Sequence, residues 1–381
     1  MAAENASVRQ SGLKLFRIAG IQIRLDYSWL IIFVLVLWSL SAGYFPRHYP
    51  DQSTSTYWIA GLVATVLFFA SILIHELSHS LMAMRYGIKI PEITLFVFGG
   101  MAHISEDPKT PKIEFNMAVV GPLASFLLAG LFWGIKVVFE GIIPSLGVIV
   151  LEYLAWINVA LGVFNLFPGF PLDGGRVFRA FWWWKTGSLR RATRLASDMG
   201  KGLALTLIIL GGLQIFAGAL LGGLWFIFIG MFLRGMAEGG YQELILKQSL
   251  EAVEAREIMV RDVVTLPPGL PLSRVITDYF LRYGYRGFPV AQEKRVLGVI
   301  SLAEVKSVPE EERDSKKAED VMRPRSEKIE IAPEASLSDA LQKMTQEEMG
   351  RLLVMEKDQM LGMITKTGLL RHLELKHALT K

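Results

Sequence analysis

The sequence predicts an α-helical polytopic membrane protein, with about six transmembrane helices and a small membrane-associated β-sheet, followed by a smaller α/β module. Of the 381 residues, 52% are hydrophobic and only 20% are charged, which is unusual for a soluble protein. Nearly all the long apolar runs lie before residue 240, whereas residues 241–381 have an ordinary soluble composition. The chain has no cysteine, so disulfides, thiolate catalysis and cysteine-ligated metals are excluded.

Apolar runs of about 20 residues predict the transmembrane helices. We expect six spans, at about residues 27–44, 57–84, 115–139, 148–167, 203–220 and 221–233. The last two are almost contiguous, so either a tight Gly-rich turn joins them or the sixth is only half-buried. The first run is also compatible with a signal peptide, but the long leader and the later spans favour a retained helix.

Basic residues alternate along the chain in a way that predicts the orientation of the spans. They are concentrated before the first span, between the second and third, and between the fourth and fifth, whereas the other connections carry little beyond Arg47 and Lys136. Basic residues next to spans favour the cytoplasm. We therefore expect a multi-pass cell-membrane protein with both termini cytoplasmic. The net charge of +4 is explained by these helix-orienting residues, and no nucleic-acid partner is expected.

Residues 90–105, IPEITLFVFGGMAHIS, are rich in β-formers and contain Gly99-Gly100. The segment is too short for a helical span, so it predicts a small hairpin or sheet at the membrane face. His103 lies within it. It could be a third metal ligand, but a surface or hairpin histidine is favoured.

The second predicted span contains three ionisable residues, His75, Glu76 and His79. Residues four apart share one helix face, so both imidazoles can reach one divalent ion such as zinc. Glu76 is rotated by about 100°, which suits contact with a metal-held water, whose proton it could accept. This is the H-E-x-x-H arrangement of metalloproteases. The alternative, a buried polar cluster or chance match, is less favoured because ionisable groups are costly in a membrane.

A third ligand is needed, and Asp173 in NLFPGFPLDGGR is the candidate. Its prolines and glycines break the helix near membrane depth, where irregular backbone is tolerated only if it is buried or lines a watery cavity. Composition alone leaves two readings equally open. Asp173 either completes the metal site or is a solvated cap of a helix-terminating turn.

The two motifs together resemble the site-2 protease family of intramembrane zinc metalloproteases. H-E-x-x-H is followed about 90 residues later by N-x-x-P-x-x-P-L-D-G, and the resemblance covers roughly residues 16–235. It implies one Zn²⁺ per chain, held by His75, His79 and Asp173, with Glu76 as catalytic base. It also implies that Asn165 lies near the active site and contacts the substrate or the transition state.

The same resemblance extends to GPLAS, residues 121–125, which matches the family's G-P-x-x-S/N element. It implies that Gly121, Pro122 and Ser125 lie near the active site and bind substrate. Close helix packing by small residues is an equally open reading. The strand around Gly99 and Gly100 would bind an unwound substrate segment by β-augmentation. The implied partner is therefore a transmembrane protein substrate within the lipid bilayer.

An internal repeat with an offset of about 64 residues follows the membrane half. AREIMVRDVVTL is similar to AEDVMRPRSEKI, and RVLGVISLAEV is similar to QMLGMITKTGL. The pattern resembles a tandem pair of CBS domains, an α/β regulatory module. We predict a membrane metalloprotease domain at 1–240, a linker at 241–254, and a CBS pair at 255–375 with copies at 255–308 and 318–375.

CBS pairs of this type often bind an adenine nucleotide, with an Asp three residues after a Ser or Thr holding the ribose. Here Ser301 is followed by Glu304, and Thr365 is followed by Gly368, so both copies depart from that pattern. Nucleotide binding at Ser301, Glu304 and Thr365 and a purely structural or dimerising module are both left open. A homodimer formed through the CBS domains is a corresponding expectation.

The leading interpretation is an enzyme, a zinc metalloendopeptidase that performs regulated intramembrane proteolysis, with activity modulated by the CBS pair. A CBS-gated channel or transporter and an inactive scaffold are the alternatives. A channel has no need for the three ligands and Glu76 together, and the intact Glu76 argues against an inactive scaffold. The compact, cysteine-free chain without a cleaved leader suggests a bacterial or archaeal source.

Overall fold

The computed structural model describes residues 12–97, 99–102, 104, 106–139, 141–293, 295–347 and 349–380. His103 lies outside these residues. The chain divides into two compact units, Met1–Gln242 and Glu243–Lys381. The first unit contains the apolar helices, and the second contains the repeated α/β segments, so the predicted fold class is confirmed.

Among the described residues, six helices are long and apolar enough to cross a membrane. Their ranges are Tyr27–His48, Thr54–Arg85, Pro111–Val138, Ser145–Asn165, Leu189–Phe216 and Leu220–Glu251. The first comprises α1 (Tyr27–Trp38), a π-helical turn (Ser39–Tyr44) and α2 (Phe45–His48). The others are α3 (Thr54–Arg85), α4 (Pro111–Val138), α5 (Ser145–Asn165), α7 (Leu189–Phe216) and α8 (Leu220–Glu251).

The helices that contain the last two predicted spans are longer than those spans. The fifth begins at Leu189 and the sixth extends to Glu251, because both helices continue beyond their apolar stretches into polar sequence. The tight turn between them is confirmed: residues 217–219 join the helices, and Gly218 has a left-handed φ of 86°. Residues 241–251 of the predicted linker continue α8.

Local sequence explains where the site-bearing helices begin. The Ser53 hydroxyl accepts a hydrogen bond from the Thr56 N–H at the start of α3. The Thr110 hydroxyl does the same for Ile113 in α4, which has Pro111 at its first position. Both are standard N-terminal caps, because they satisfy backbone donors that a helix leaves unpaired.

A four-stranded sheet packs against one end of α3 and α4. The strands are β1 (Leu13–Ile18), β2 (Ile21–Leu25), β3 (Glu92–Phe96) and β4 (Gly99–Ala102), in spatial order β1-β2-β3-β4. The predicted hairpin is β3–β4, in which Leu95 pairs with Gly100. The strands β1 and β2 were not predicted from the sequence. Buried Ile21 and Ile23 of β2 pack with Ala83 of α3 and Met117 of α4, which seats the sheet beside the HExxH segment.

A shorter helix, α6 (Asp173–Thr186), follows the Pro-Gly loop after α5 and ends at Gly187, whose φ is 66°. The loop packs closely on α7, since the Phe170 N–H donates to the Ala196 carbonyl over 3.0 Å. A Cβ on Gly200 of α7 would lie 1.9 Å from the Phe170 carbonyl oxygen. This tight contact fixes where α6 begins, and therefore where Asp173 lies.

The second unit contains two three-stranded sheets, β5-β6-β7 and β10-β9-β8. Their strands are β5 (Gly287–Gln292), β6 (Arg295–Ser301), β7 (Arg323–Pro324), β8 (Glu330–Ile331), β9 (Arg351–Glu356) and β10 (Gln359–Thr365). The helices are α9 (Ala255–Ile258), α10 (Leu272–Arg274) with a π-helical extension (Val275–Leu281), α11 (Leu302–Lys306), α12 (Ala318–Val321), α13 (Leu337–Gln346) and α14 (Lys366–Thr380).

The two repeats exchange their opening segments. Ala255, which opens the first repeat, lies in the second repeat's core, and its N–H donates to the Ala335 carbonyl over 2.8 Å. Ala318, which opens the second repeat, lies in the first repeat's core and donates to the Leu270 carbonyl over 2.9 Å. Each core therefore contains residues from both copies, and neither repeat has a complete core by itself.

Candidate active site

A cavity of about 690 Å³ lies between the membrane helices. Most of its wall is apolar, with aromatic side chains such as Phe68, Trp225 and Phe232. Polar residues from α3, the end of α5 and the start of α6 also line it: His75, Glu76, His79, Ser80, Asn165, Asp173 and Arg176. An apolar cleft with a few convergent polar groups is the usual form of a ligand site.

Three of these side chains form a compact set of potential metal ligands. Asp173 Oδ2 lies 3.0 Å from His75 Nε2 and 3.1 Å from His79 Nε2. The two histidine Nε2 atoms lie 3.2 Å apart. Tetrahedral zinc, with bonds of about 2.0–2.1 Å, would separate its ligand atoms by roughly 3.3 Å. The spacing of the three donor atoms therefore fits one zinc ion.

The other nitrogen of each imidazole is held by α4. His79 Nδ1 donates to the Met117 carbonyl oxygen over 2.6 Å, because a carbonyl can only accept. This bond directs the lone pair of Nε2 towards Asp173 and His75. His75 Nδ1 lies 2.9 Å from Ser125 Oγ, and Ser125 is fully buried. Such outer partners fix the tautomer and ring orientation of metal-binding histidines.

Gly121 of α4 leaves the space that a metal would occupy. A Cβ at this position would lie 2.1 Å from His79 Nε2 and 2.7 Å from His75 Nε2. The first distance is close to a zinc–nitrogen bond of about 2.0–2.1 Å. The space beside the two Nε2 atoms is open only because Gly121 has no side chain, and a bound zinc ion needs that space. The absence of a side chain at Gly121 therefore also fits a zinc site.

Glu76 is half-buried, lines the cavity and lies against β4. A Cβ on Gly100 would lie 2.3 Å from Glu76 Cγ and 3.0 Å from its Cδ. The absence of a side chain at Gly100 therefore lets the edge strand β4 approach the Glu76 carboxyl group directly.

The remaining predicted residues fall into two groups. Asn165, at the C-terminal end of α5, lines the cavity together with Gly99 and Gly100. Gly121 and Ser125 instead adjoin the two histidines, and Pro122 is buried within α4. Among the described residues, these three are not part of the cavity lining, and their contact with substrate stays a prediction.

Sequence reasoning missed Arg176 and the Met117 carbonyl. Arg176 lines the cavity and follows Asp173 by three residues in α6, on the same helix face. The DGGR spacing was a usable signal for it. The role of the Met117 carbonyl left no signal in the sequence, because any residue type offers the same backbone oxygen.

In the CBS module, the predicted nucleotide-binding residues already contact other protein groups. The Ser301 N–H donates to Glu304 Oε2 over 2.8 Å, and Arg323 Nε donates to Glu304 Oε1 over 2.7 Å. Burial would raise the pKa of Glu304, but the hydrogen bonds from Ser301 and Arg323 lower it below its ordinary value. Thr365 Oγ1 accepts the Gly368 N–H over 3.0 Å.

Arg351 of the second repeat reaches into the first. A Cβ on Gly287 would lie 1.7 Å from Arg351 Nη1, so the guanidinium lies directly on the β5 backbone. Burial lowers the pKa of Arg351, while the negative charge of Glu304 acts in the opposite direction. The predicted Ser301–Glu304 site therefore lies near a guanidinium of the other repeat.

Comparison with known proteins bears on both units. Residues 63–148 and 147–210 match Peptidase family M50, and residues 255–311 and 318–375 match the CBS domain. The candidate zinc metalloprotease sll0528 of Synechocystis sp. is 32% identical over 363 residues, covering 94% of each chain. Zinc metalloprotease MJ0392 of Methanocaldococcus jannaschii is 30% identical over 371 residues, covering 96% of this chain and 98% of that protein.

Among solved structures, the chain is similar to the site-2 protease from Methanocaldococcus jannaschii, with 29% identity and a TM-score of 0.42. The match covers 60% of this chain and 95% of that one. Fold, site and relatives together define a polytopic membrane metalloprotease that carries a CBS pair. The chain belongs to peptidase family M50, the site-2 protease type of zinc metalloprotease.

Proposed function

We propose that this protein is an intramembrane zinc endopeptidase that hydrolyses a peptide bond in or near a transmembrane segment of another membrane protein. One observation carries the proposal. The His75, His79 and Asp173 donor atoms and the Glu76 side chain line one largely apolar cavity between helices long enough to span a bilayer. Ionisable groups at membrane depth are costly, so their convergence indicates function.

His75, His79 and Asp173 would hold the zinc ion, and the hydrogen bonds of the two Nδ1 atoms would orient the imidazoles. Zinc supplies Lewis acidity when bound: it acidifies a water to a pKa of about 7 and polarises a carbonyl group. The Glu76 carboxylate would accept the proton of the attacking water and then pass it to the nitrogen of the leaving amine. Hydrolysis thus consumes one water, and Glu76 regains its charge.

The substrate would enter as an extended segment along β4. This strand lies at the edge of the described four-stranded sheet, so its outer backbone groups can pair with a peptide. Such pairing satisfies the backbone groups that a transmembrane helix exposes when it unwinds. Asn165 would donate its side-chain N–H to the substrate carbonyl oxygen, where negative charge develops during attack.

The proposed orientation has both termini in the cytoplasm. It rests on the basic residues that precede the first span and that separate the second from the third and the fourth from the fifth. Because the chain lacks cysteine, single cysteines introduced into each connection can be labelled without background. Labelling of residue 47 from the cytoplasmic side only would contradict this orientation.

We further propose that the CBS pair modulates the protease and forms a homodimer, with an adenine nucleotide at Ser301, Glu304 and Thr365 as the candidate ligand. The proximity of Arg351 to Glu304 supports an anionic ligand, whereas the existing bonds of Glu304 compete with a ribose. Calorimetric titration of the full-length protein with ATP and AMP, beside Glu304→Gln, tests this. An unchanged nucleotide affinity in Glu304→Gln would exclude a role for that carboxylate.

The central experiment combines metal content with cleavage. We expect about one zinc per purified wild-type chain, loss of zinc in His79→Ala, and retention in Glu76→Gln. Mapping of new peptide N-termini in membranes from cells producing wild type or Glu76→Gln then locates the cleaved bonds. Cuts that depend on Glu76 and lie in or beside transmembrane segments support the proposal. A wild type that takes up no zinc, or cuts confined to soluble regions, would overturn it.

A further inference from the structure

A buried ion pair joins α6, which carries Asp173, to the start of α4. Arg179 Nε lies 2.5 Å from Glu114 Oε1, and Nη2 contacts the same oxygen. The Glu114 side chain is fully buried, and that of Arg179 is 18% exposed. Glu114 Oε2 is also buried and has no hydrogen-bond partner among the described residues. The pair thus removes two charges from solvent without satisfying every polar atom.

The two ends of this pair lie next to the two halves of the proposed metal site. Glu114 precedes Met117 by three residues in α4, and the Met117 carbonyl accepts the hydrogen bond of His79. Arg179 follows Asp173 by six residues in α6. Through Glu114, Arg179 therefore links the helix of Asp173 to the helix that orients His79.

Arg179 also contacts the loop on the other side of Asp173. Its guanidinium lies over the Phe170 ring, 4.9 Å from the ring centre. Phe170 precedes Asp173 by three residues. Arg179 lies in the helix that begins at Asp173 and contacts the loop that precedes it, so one side chain holds both. Its cation–π contact with Phe170 adds to the ion pair.

Stability alone is a weak explanation for the pair. Desolvation of two charges offsets most of their attraction, and apolar residues of similar volume are often as stable or more so. In a membrane protein the desolvation is at least as costly. Compared with apolar packing, an ion pair gives two helices a more defined relative geometry. Here the two helices are α6, which carries Asp173, and α4, which carries the Met117 carbonyl that binds His79.

We propose that Arg179 and Glu114 are positioning residues that set Asp173 against the two histidines and so determine zinc affinity. The inference rests on the proposed zinc site, and its test reads metal binding without any cleavage assay. Outer groups that orient metal ligands typically change metal affinity by about 10- to 100-fold when removed. We expect a zinc dissociation constant at least about tenfold higher in Arg179→Met and in Glu114→Gln.

The chain offers a matched control in a second ion pair of the membrane helices. Lys136 Nζ lies 2.9 Å from Glu152 Oε2, and the Lys136 side chain is also 18% exposed. This pair joins α4 to α5 and includes no residue that contacts the proposed ligands. Because Glu152 is 31% exposed and Glu114 is fully buried, Lys136→Met should reduce thermal stability by less than Arg179→Met does, and it should leave zinc affinity unchanged.

Zinc affinity is measured by competition with a chelator on full-length protein in detergent, with the melting temperature of each variant recorded alongside. The double variant Glu114→Gln/Arg179→Met should bind zinc no more weakly than the weaker single variant, because the pair acts as one unit. Cobalt-loaded Arg179→Met should also differ from the wild type in its visible absorption, which reports ligand geometry.

Three results would overturn the inference. The first is a zinc affinity within twofold of wild type in both single variants. The second is a zinc dissociation constant in the double variant that is raised by the product of the two single-variant factors. The third is an equal loss of zinc affinity in Lys136→Met. If the wild type itself binds no zinc, the proposed function fails and the inference falls with it. Failure of the proposed function and failure of the positioning role are therefore distinguishable.

Discussion

Gly121→Ala provides a sharp test of the metal site. The new methyl carbon would lie 2.1 Å from His79 Nε2, whereas a non-bonded contact needs about 3.5 Å, so the imidazole would have to retreat by roughly 1.4 Å. Metal–ligand distances tolerate only about 0.2 Å, and His79 is held at its other nitrogen by Met117. We expect zinc content to fall from about one per chain to near zero, with an overpacking cost of about 1–3 kcal/mol.

The assay is zinc content after chelator-free purification, with thermal unfolding as a check on folding. Gly134→Ala is the matched control, because Gly134 lies in the same helix and its added Cβ would have nothing within 4 Å. That variant should keep its zinc and gain up to about 1 kcal/mol of stability from helix propensity. If folded Gly121→Ala binds one zinc with wild-type affinity, the inferred position of the ion is wrong.

Three further predictions concern catalysis and pH. Glu76→Gln should keep its zinc while cleavage falls by about 10²–10⁴-fold, because the general base is lost. Gly100→Val should also keep its zinc but lower cleavage by about 10²-fold, since its Cβ would lie 2.3 Å from Glu76 Cγ and displace the carboxylate. Glu304→Gln should destabilise the CBS module by about 1–3 kcal/mol at pH 7. Because hydrogen bonds from Ser301 and Arg323 lower the folded-state pKa of Glu304, this difference should disappear as the pH falls through that value.

Each of these has an outcome that would contradict it. Loss of zinc in Glu76→Gln would make Glu76 a ligand rather than a base. Wild-type cleavage by Gly100→Val would show that β4 does not constrain the carboxylate. For the CBS module, pulse proteolysis of the full-length chain measures stability, and Glu311→Gln, at an exposed position of the same repeat, is the control. If both substitutions lowered stability equally, or if the effect of Glu304→Gln persisted at acid pH, the Glu304 carboxylate would not stabilise the module.

Much of the fold was readable because its signals are local. Long apolar runs predict spans regardless of partners, and the part of the chain that the structure describes contains the expected six helices of sufficient length. The repeat after residue 254 predicts two similar units by comparison of the chain with itself, and both match the CBS domain. The strands β1 and β2 were missed although they form a local antiparallel hairpin. What joins that hairpin to the sheet is the parallel pairing of β2 with β3, about 70 residues away, which no local pattern encodes.

The exchange of opening segments between the CBS repeats was also beyond a sequence reading. Because the two repeats are similar, the opening helix of each could pack on the core of its own repeat or on the core of the other repeat. Both arrangements would bury the same residues. The hydrogen bonds of Ala255 to Ala335 and of Ala318 to Leu270 show which one occurs.

By itself, the sequence determined that His75 and His79 share one face and that Glu76 does not, because helical periodicity fixes that relation within one turn. It did not decide whether Asp173 is a metal ligand or a helix cap. It also did not decide whether Gly121 and Ser125 lie at the active site or only allow close helix packing. Tertiary structure decided where these residues lie. Asp173 is brought within 3.0 Å of His75 from 98 positions away, since the packing of α6 on α4 and α7 depends on contacts that no local pattern encodes.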